Sequence, residues 1–148
     1  MKTRLDRIQS EIALLGEDSD RDAIYGAMQV LNQQGTAAVA PLIAVLQDPT
    51  ARCIVRCRVA DTLAMMGDRR AIAPLLAVLT EAGEVQLRWS AAVALAQIGD
   101  ASALAALRRA AETDEGSFDI IPGLHKVMRE EIVAAIRAIE AREQENHE

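Results

Sequence analysis

Aromatic side chains are nearly missing from this 148-residue sequence, which contains one Trp, one Tyr and one Phe, together 2% of the chain. A core built on large rings is therefore excluded. Hydrophobic residues still make up 51% of the sequence and charged residues only 26%, which is the reverse of a disordered composition. Alanine alone contributes 28 residues, and with Leu, Ile and Val this excess indicates closely packed helices.

Histidine and cysteine are also scarce, with two residues of each. Cys53 and Cys57 lie four residues apart in one predicted helix, so they are poor disulfide partners. A structural zinc site needs four ligands, so we predict no metal ion and no cofactor. The sequence has neither a nucleophile elbow nor a phosphate-binding glycine loop. No catalytic residue is assigned, and a non-catalytic role is favoured over an enzyme.

Long apolar runs and an excess of basic charge are absent as well. No window approaches the roughly 18 apolar residues of a membrane span, and charges interrupt the N-terminal stretch that a signal peptide would need. The net charge is −6, which disfavours attraction to nucleic acid or to an anionic membrane. We therefore expect a cytoplasmic protein that binds neither nucleic acid nor membrane.

A repeat of 32 residues runs through most of the chain. Gly35, Gly67 and Gly99 share this spacing, and each follows an apolar run in the manner of a glycine just past a helix end. The same spacing aligns apolar residues on one helical face: Leu31, Leu63 and Leu95; Met28, Ala60 and Ala92; Ala27, Val59 and Ala91; Ala23, Val55 and Leu87. A fourth copy aligns after an offset of 41, which leaves nine extra residues as an insertion within about 113–124.

The repeat predicts one all-α domain over residues 1–148, an α-solenoid of about four helical hairpins. The approximate repeats are 3–34, 35–66, 67–98 and 99–140, followed by a polar tail at 141–148. No segment alternates apolar and polar residues over the length of a strand, so the insertion is expected to be a loop. Pro41 and Pro74 are expected to lie deep enough within helices to bend them.

Two segments, 66–79 and 87–100, resemble HEAT repeats, and they are closest to the short subclass named after phycobilisome lyases. The resemblance extends over about residues 20–140 and implies a right-handed superhelix of HEAT-like hairpins. It implies less about function, because such repeats occur in scaffolds, adaptors, lyase subunits and a few enzymes. In HEAT arrays the second helix of each repeat lines the concave surface.

The recurring Arg56, Arg88 and Arg129 follow the first core position of each second helix. By resemblance these arginines form a structural ladder with acidic residues near the turns between helices. The alternative is a contiguous strip that binds anions.

One repeat position combines the single Tyr and the single Trp of the chain. This position holds Tyr25, Cys57, Trp89 and Glu130, and the position one turn further along holds Gln29, Asp61 and Val93. By resemblance these residues line a shallow groove suited to a peptide or helix, because aromatic residues are favoured interface anchors. The two rings could instead fill gaps between alanines at the repeat interfaces.

The insertion is a second candidate for binding, since it carries Phe118, Ile120 and Ile121 in the connection that breaks the period. These side chains could instead cover the last hairpin, which has no following neighbour.

The sequence therefore favours a non-catalytic protein–protein interaction or scaffold module, which binds a protein segment along the concave second-helix surface. The alternative is an accessory or lyase-like subunit that acts on a bilin-bearing protein. The exposed ends of such a short array also allow homo-oligomers.

Overall fold

The computed structural model describes residues 1–16, 20–122 and 124–148, with backbone alone for residues 118–121 and 124–126. Most of this chain is helical. The helices are α1 (Arg4–Leu14), α2 (Arg21–Gln34), α3 (Thr36–Gln47), α4 (Cys53–Met66), α5 (Ile72–Glu81), α6 (Val85–Ile98), α7 (Leu104–Thr113) and α8 (Met128–His147).

Consecutive helices pair into hairpins of two helices each, and the hairpins stack in chain order. Within each hairpin α1 packs on α2, α3 on α4, α5 on α6 and α7 on α8. Between hairpins α1, α3, α5 and α7 follow one another as a layer of first helices, and α2, α4, α6 and α8 as a layer of second helices. The all-α solenoid predicted from the repeat is thereby confirmed.

The core lies between the two layers, where the repeated apolar face is buried. Leu31, Leu63 and Leu95 occupy the same repeat position, and none of them exposes measurable surface. Burial of such a leucine stabilises the fold by roughly 1.5–3 kcal/mol relative to exposure. Alanines on the same face allow neighbouring second helices to approach closely. Within the described ranges, no helix has both the length and the apolarity that a membrane crossing requires.

The three helix-ending glycines serve two different purposes. Gly35 and Gly67 have φ values of +60° and +69°, a backbone region that other residues rarely adopt. Gly99 has φ −63° and needs no such freedom. A Cβ atom there would lie 2.6 Å from Cδ1 of Ile139 and 2.5 Å from the carbonyl oxygen of Leu95, so Gly99 is required by the close approach of α8.

Short 3₁₀ turns precede two of the first helices, at Arg69–Ala71 and Ala101–Ala103. Asp68 caps the first of these turns by accepting a hydrogen bond from the backbone N–H of Arg70. Because α5 begins only at Ile72, Pro74 falls in its first turn, where the missing N–H is not needed. The prediction that Pro74 lies deep in a helix was wrong, whereas Pro41 does lie inside α3.

The insertion contains an antiparallel β-hairpin rather than the expected loop. Strands β1 (Ser117–Ile121) and β2 (Leu124–Val127) pair from Ser117 opposite Val127 to Ile121 opposite Leu124. The pairing register shifts between Asp119 and Ile121. The strands are short and this irregularity disrupts alternation, so periodicity could not reveal them.

Candidate functional site

The predicted row of site residues spans four consecutive second helices. Tyr25 lies on α2, Cys57 on α4, Trp89 on α6 and Glu130 on α8, and each of these helices packs against the next. Their exposure differs sharply. Tyr25 is 60% exposed and Glu130 is exposed, whereas Trp89 is half-buried against the core and Cys57 is 8% exposed. The row is therefore open to solvent mainly at its two ends.

A shallow depression of about 440 Å³ lies beside Tyr25, between α2 and α4. It joins two predicted site residues, Tyr25 and Asp61, that come from different repeats. Its walls combine apolar and charged side chains, namely Arg21, Asp22, Ile24, Tyr25, Met28, Arg58 and Asp61. The depression can therefore accept a side chain that has both apolar and polar parts.

Asp61 is a predicted site residue, and its carboxylate lies in the wall of this depression. Within the described part of the chain it forms no hydrogen bond or ion pair, although its side chain is exposed. Protein atoms around it still displace part of the surrounding water, and this partial desolvation raises the pKa of Asp61 above its ordinary value. Its neighbour Arg58 is engaged, because it donates a hydrogen bond to the carbonyl oxygen of Leu15.

Cys57 contributes no open surface to the predicted groove. Burial raises the pKa of its thiol to about 12, although a hydrogen bond with Ser90 acts in the opposite direction. Its sulfur lies 4.0 Å from that of Cys53, which is half-buried one helical turn earlier. The thiol of Cys57 is therefore enclosed between α4 and α6.

The other predicted site residues occupy intermediate positions. Gln29 and Val93 are half-buried on α2 and α6, one turn beyond Tyr25 and Trp89. Phe118 lies on β1, opposite Lys126, and its side chain falls outside the described part of the structure. Of the predicted site residues, Tyr25 and Asp61 are the two that line the depression between α2 and α4.

Five residues of the depression were not among the predicted site residues, and Met28 and Arg58 are two of them. Met28 was placed on the core face because it aligns with Ala60 and Ala92, but it is half-buried at the edge of the core. No sequence signal marked Arg58. Both residues reach the depression where α2 contacts α4, and periodicity alone does not reveal which side chains border that contact.

The recurring arginines share backbone partners. Arg56 Nε donates to the carbonyl oxygen of Leu46 at 2.9 Å, and Arg129 Nε donates to that of Ala111 at 2.8 Å. Arg88 Nη1 likewise donates to the carbonyl oxygen of Ala82 at 3.0 Å. Each guanidinium thus satisfies carbonyls at the C-terminal end of the first helix in its own hairpin. These contacts favour the structural interpretation over an anion-binding strip.

Arg88 adds an ion pair that links two hairpins. Its Nε and Nη2 atoms donate to the Asp114 carboxylate at 2.8 and 3.1 Å. The Asp114 carboxylate also accepts a hydrogen bond from the N–H of Gly116, and a Cβ atom on Gly116 would collide with the Arg88 guanidinium. Desolvation acts to raise the pKa of Asp114, but the bonds from Arg88 and Gly116 outweigh it and lower the pKa. This cluster of Arg88, Asp114 and Gly116 therefore holds the third and fourth hairpins together.

Among the described residues, no group of three or more His, Cys, Asp and Glu side chains is arranged to hold a metal ion. The stacked helical hairpins define the chain as a helical-repeat protein. The family model for HEAT repeats matches residues 8–87 and 53–119, which together span about three quarters of the chain. The chain belongs to the HEAT-repeat family. No curated protein sequence matches it.

Proposed function

We propose that this protein is a non-catalytic interaction or scaffold module that binds a segment of a partner protein along its second helices. HEAT repeats commonly mediate protein–protein interaction or scaffolding. The observation that carries the finer proposal is the exposed ring of Tyr25 beside the depression that contains Asp61. The partner segment lies along α2, α4, α6 and α8, with its anchor side chain in this depression.

Tyr25 suits the role of an anchor. Tyrosine presents a large, rigid contact surface with a polar tip, and it is enriched among residues that dominate binding energy. Tyr25 is 60% exposed, so contact with a partner would remove much apolar surface from water. Met28, on the wall of the same depression, adds an adaptable apolar contact.

Asp61 supplies specificity. Its carboxylate is already partly desolvated, and it has no partner within the described part of the chain. A hydrogen-bond donor on the bound segment, such as a lysine, arginine or serine side chain, would supply that partner. We therefore infer a partner segment whose anchor carries an apolar stem and a donor group.

The direct test compares binding by single-residue variants to a partner isolated with the wild-type protein. Tyr25→Ala is expected to weaken the affinity, measured by calorimetry, by at least about tenfold. Asp61→Asn retains the side-chain shape and should weaken binding more mildly. Leu5→Ala is the matched control, because Leu5 is similarly exposed, at 55%, but lies on α1, which is a first helix. Equal affinity of the Tyr25→Ala and Leu5→Ala variants would contradict the proposed surface.

The bilin-related alternative is tested separately by mixing the purified protein with a free bilin. The interaction module predicts an unchanged absorbance spectrum for the bilin. A shifted spectrum with stoichiometric binding would favour the lyase-like alternative instead.

A further inference from the structure

We propose that the thiols of Cys53 and Cys57 form a binding site for one soft divalent cation of the zinc, cadmium and mercury group. The site lies on α4 and includes Cys57, the member of the predicted row that is least exposed. It is independent of the proposed partner binding, and HEAT-family membership does not assign it.

The separation of the two sulfur atoms carries the proposal. Cys53 and Cys57 are four residues apart on one face of α4, and their Sγ atoms are 4.0 Å apart. Two metal–sulfur bonds of ~2.3 Å at a tetrahedral angle hold their sulfur atoms ~3.8 Å apart. A disulfide requires ~2.05 Å, about half of the present distance. The pair is thus too wide for a direct bond but close to the spacing that a bridging cation needs.

The charge balance also suits this position. On binding, each thiol gives its proton to solvent, and two thiolates neutralise one divalent cation. The complex of the cation with the two thiolates is then neutral. It therefore leaves no uncompensated charge at the buried position of Cys57. Cys53 is half-buried and provides the side from which an ion enters. The two remaining coordination positions are left to water, which distinguishes this site from a closed four-ligand zinc site.

The surroundings select for strongly thiophilic ions. Both ligands are thiols, so a cation binds here only by displacing their protons. Hard cations that prefer oxygen ligands, such as Mg²⁺ and Ca²⁺, do not bind thiols well enough to do this. Cadmium and mercury should therefore bind more tightly than zinc.

The neighbouring helix provides an intrinsic reporter of occupancy. Ser90 on α6 lies next to the thiol of Cys57, and Trp89, the single tryptophan of the chain, precedes Ser90. An ion held between the thiols lies close enough to this segment to alter the fluorescence of Trp89. The fluorescence change should follow the same titration curve as the absorbance of the metal–thiolate bonds.

The experiment titrates the reduced full-length protein with Cd²⁺ and records ultraviolet sulfur-to-cadmium charge-transfer absorbance and calorimetric stoichiometry. We expect one ion and two released protons per chain, with no response to Mg²⁺. Cys53→Ser and Cys57→Ser should each weaken Cd²⁺ binding at least tenfold. Ser90→Ala, which retains both thiols, is the control and should still bind. Circular dichroism checks that each variant is folded.

The outcomes separate clearly. Absence of the charge-transfer band in the wild-type protein overturns the proposal, as does equal Cd²⁺ affinity in Cys53→Ser. If the buried Cys57→Ser variant does not fold, the half-buried Cys53 position alone decides, since its substitution disturbs less packing. Loss of binding by Ser90→Ala in a folded protein would also contradict a site made of two thiols.

Discussion

Substitution of Arg88 by alanine should strongly destabilise the solenoid, because it removes a nearly enclosed joint between two hairpins. The side chain pairs with Asp114 through two hydrogen bonds and also donates to the carbonyl oxygens of Ala82 and Gly83. Only 15% of the Arg88 side chain and 9% of the Asp114 side chain remain exposed. The alanine variant leaves the Asp114 charge without its counterion in this poorly solvated position.

The magnitude follows from the burial of the pair. Loss of one partner of a buried ion pair costs about 3–5 kcal/mol. Water can reach the small exposed fraction of this pair, so we expect about 2–4 kcal/mol. For a domain of this length each kcal/mol shifts the melting temperature by about 2–4 °C, and the expected fall is therefore roughly 10 °C.

A surface ion pair of similar length provides the matched control. Arg108 and Glu140 lie 2.7 Å apart, but their side chains are 56% and 42% exposed. Arg108→Ala should therefore change the free energy of unfolding by less than about 0.5 kcal/mol. Urea denaturation followed by circular dichroism measures both variants. Equal losses of stability would refute the argument from burial, and unchanged stability of Arg88→Ala with lost anion binding would favour the anion strip.

The same pair predicts a pH dependence. The pKa of Asp114 is lowered in the folded state, so the pair contributes fully above the ordinary pKa of aspartate. The contribution disappears as the pH falls through the lowered pKa. The stability difference between the wild type and Arg88→Ala should therefore shrink in acid.

Three further predictions follow from single positions. Gly99→Ala should lower stability by about 1–3 kcal/mol in urea denaturation, because its Cβ has no room beside α8, whereas Gly83→Ala, with open space around it, should be nearly neutral. Asp61→Asn should raise stability at neutral pH, since the raised pKa of Asp61 means that folding disfavours its charged form, and the gain should vanish below the ordinary pKa of aspartate. A gain that persists in acid would contradict this cause. Alkylation followed by mass spectrometry should modify Cys53 before Cys57, and the reverse order would show that Cys57 is less enclosed than its burial indicates.

The stack of hairpins could be predicted from the sequence, because the pattern of apolar residues that specifies it repeats along the chain. Leu31, Leu63 and Leu95 recur at the spacing of one hairpin, and all three are buried at equivalent positions. Such a repeat must bury the same face in each copy, so the pattern specifies both the helices and their stacking. The β-hairpin of the insertion occurs once, and no internal comparison was available to predict it.

The candidate site could be predicted only in part from the sequence. Register correctly placed Tyr25 and Cys57 on neighbouring helices, but it could not show that one is 60% exposed and the other 8% exposed. Exposure depends on how far each helix is rotated against its neighbours. The same repeat position can therefore be exposed on one helix and buried on the next. Met28 shows the same effect, because a nominal core position forms part of the wall of the depression.

By itself, the sequence determined the class of fold and the scarcity of rings. These properties depend on local periodicity, on turn residues and on composition, which are read one residue at a time. Only the tertiary structure decided that Tyr25 and Asp61 share a depression and that Arg88 binds Asp114. Distances between side chains and access to water arise when helices pack, and no single segment of the chain contains them.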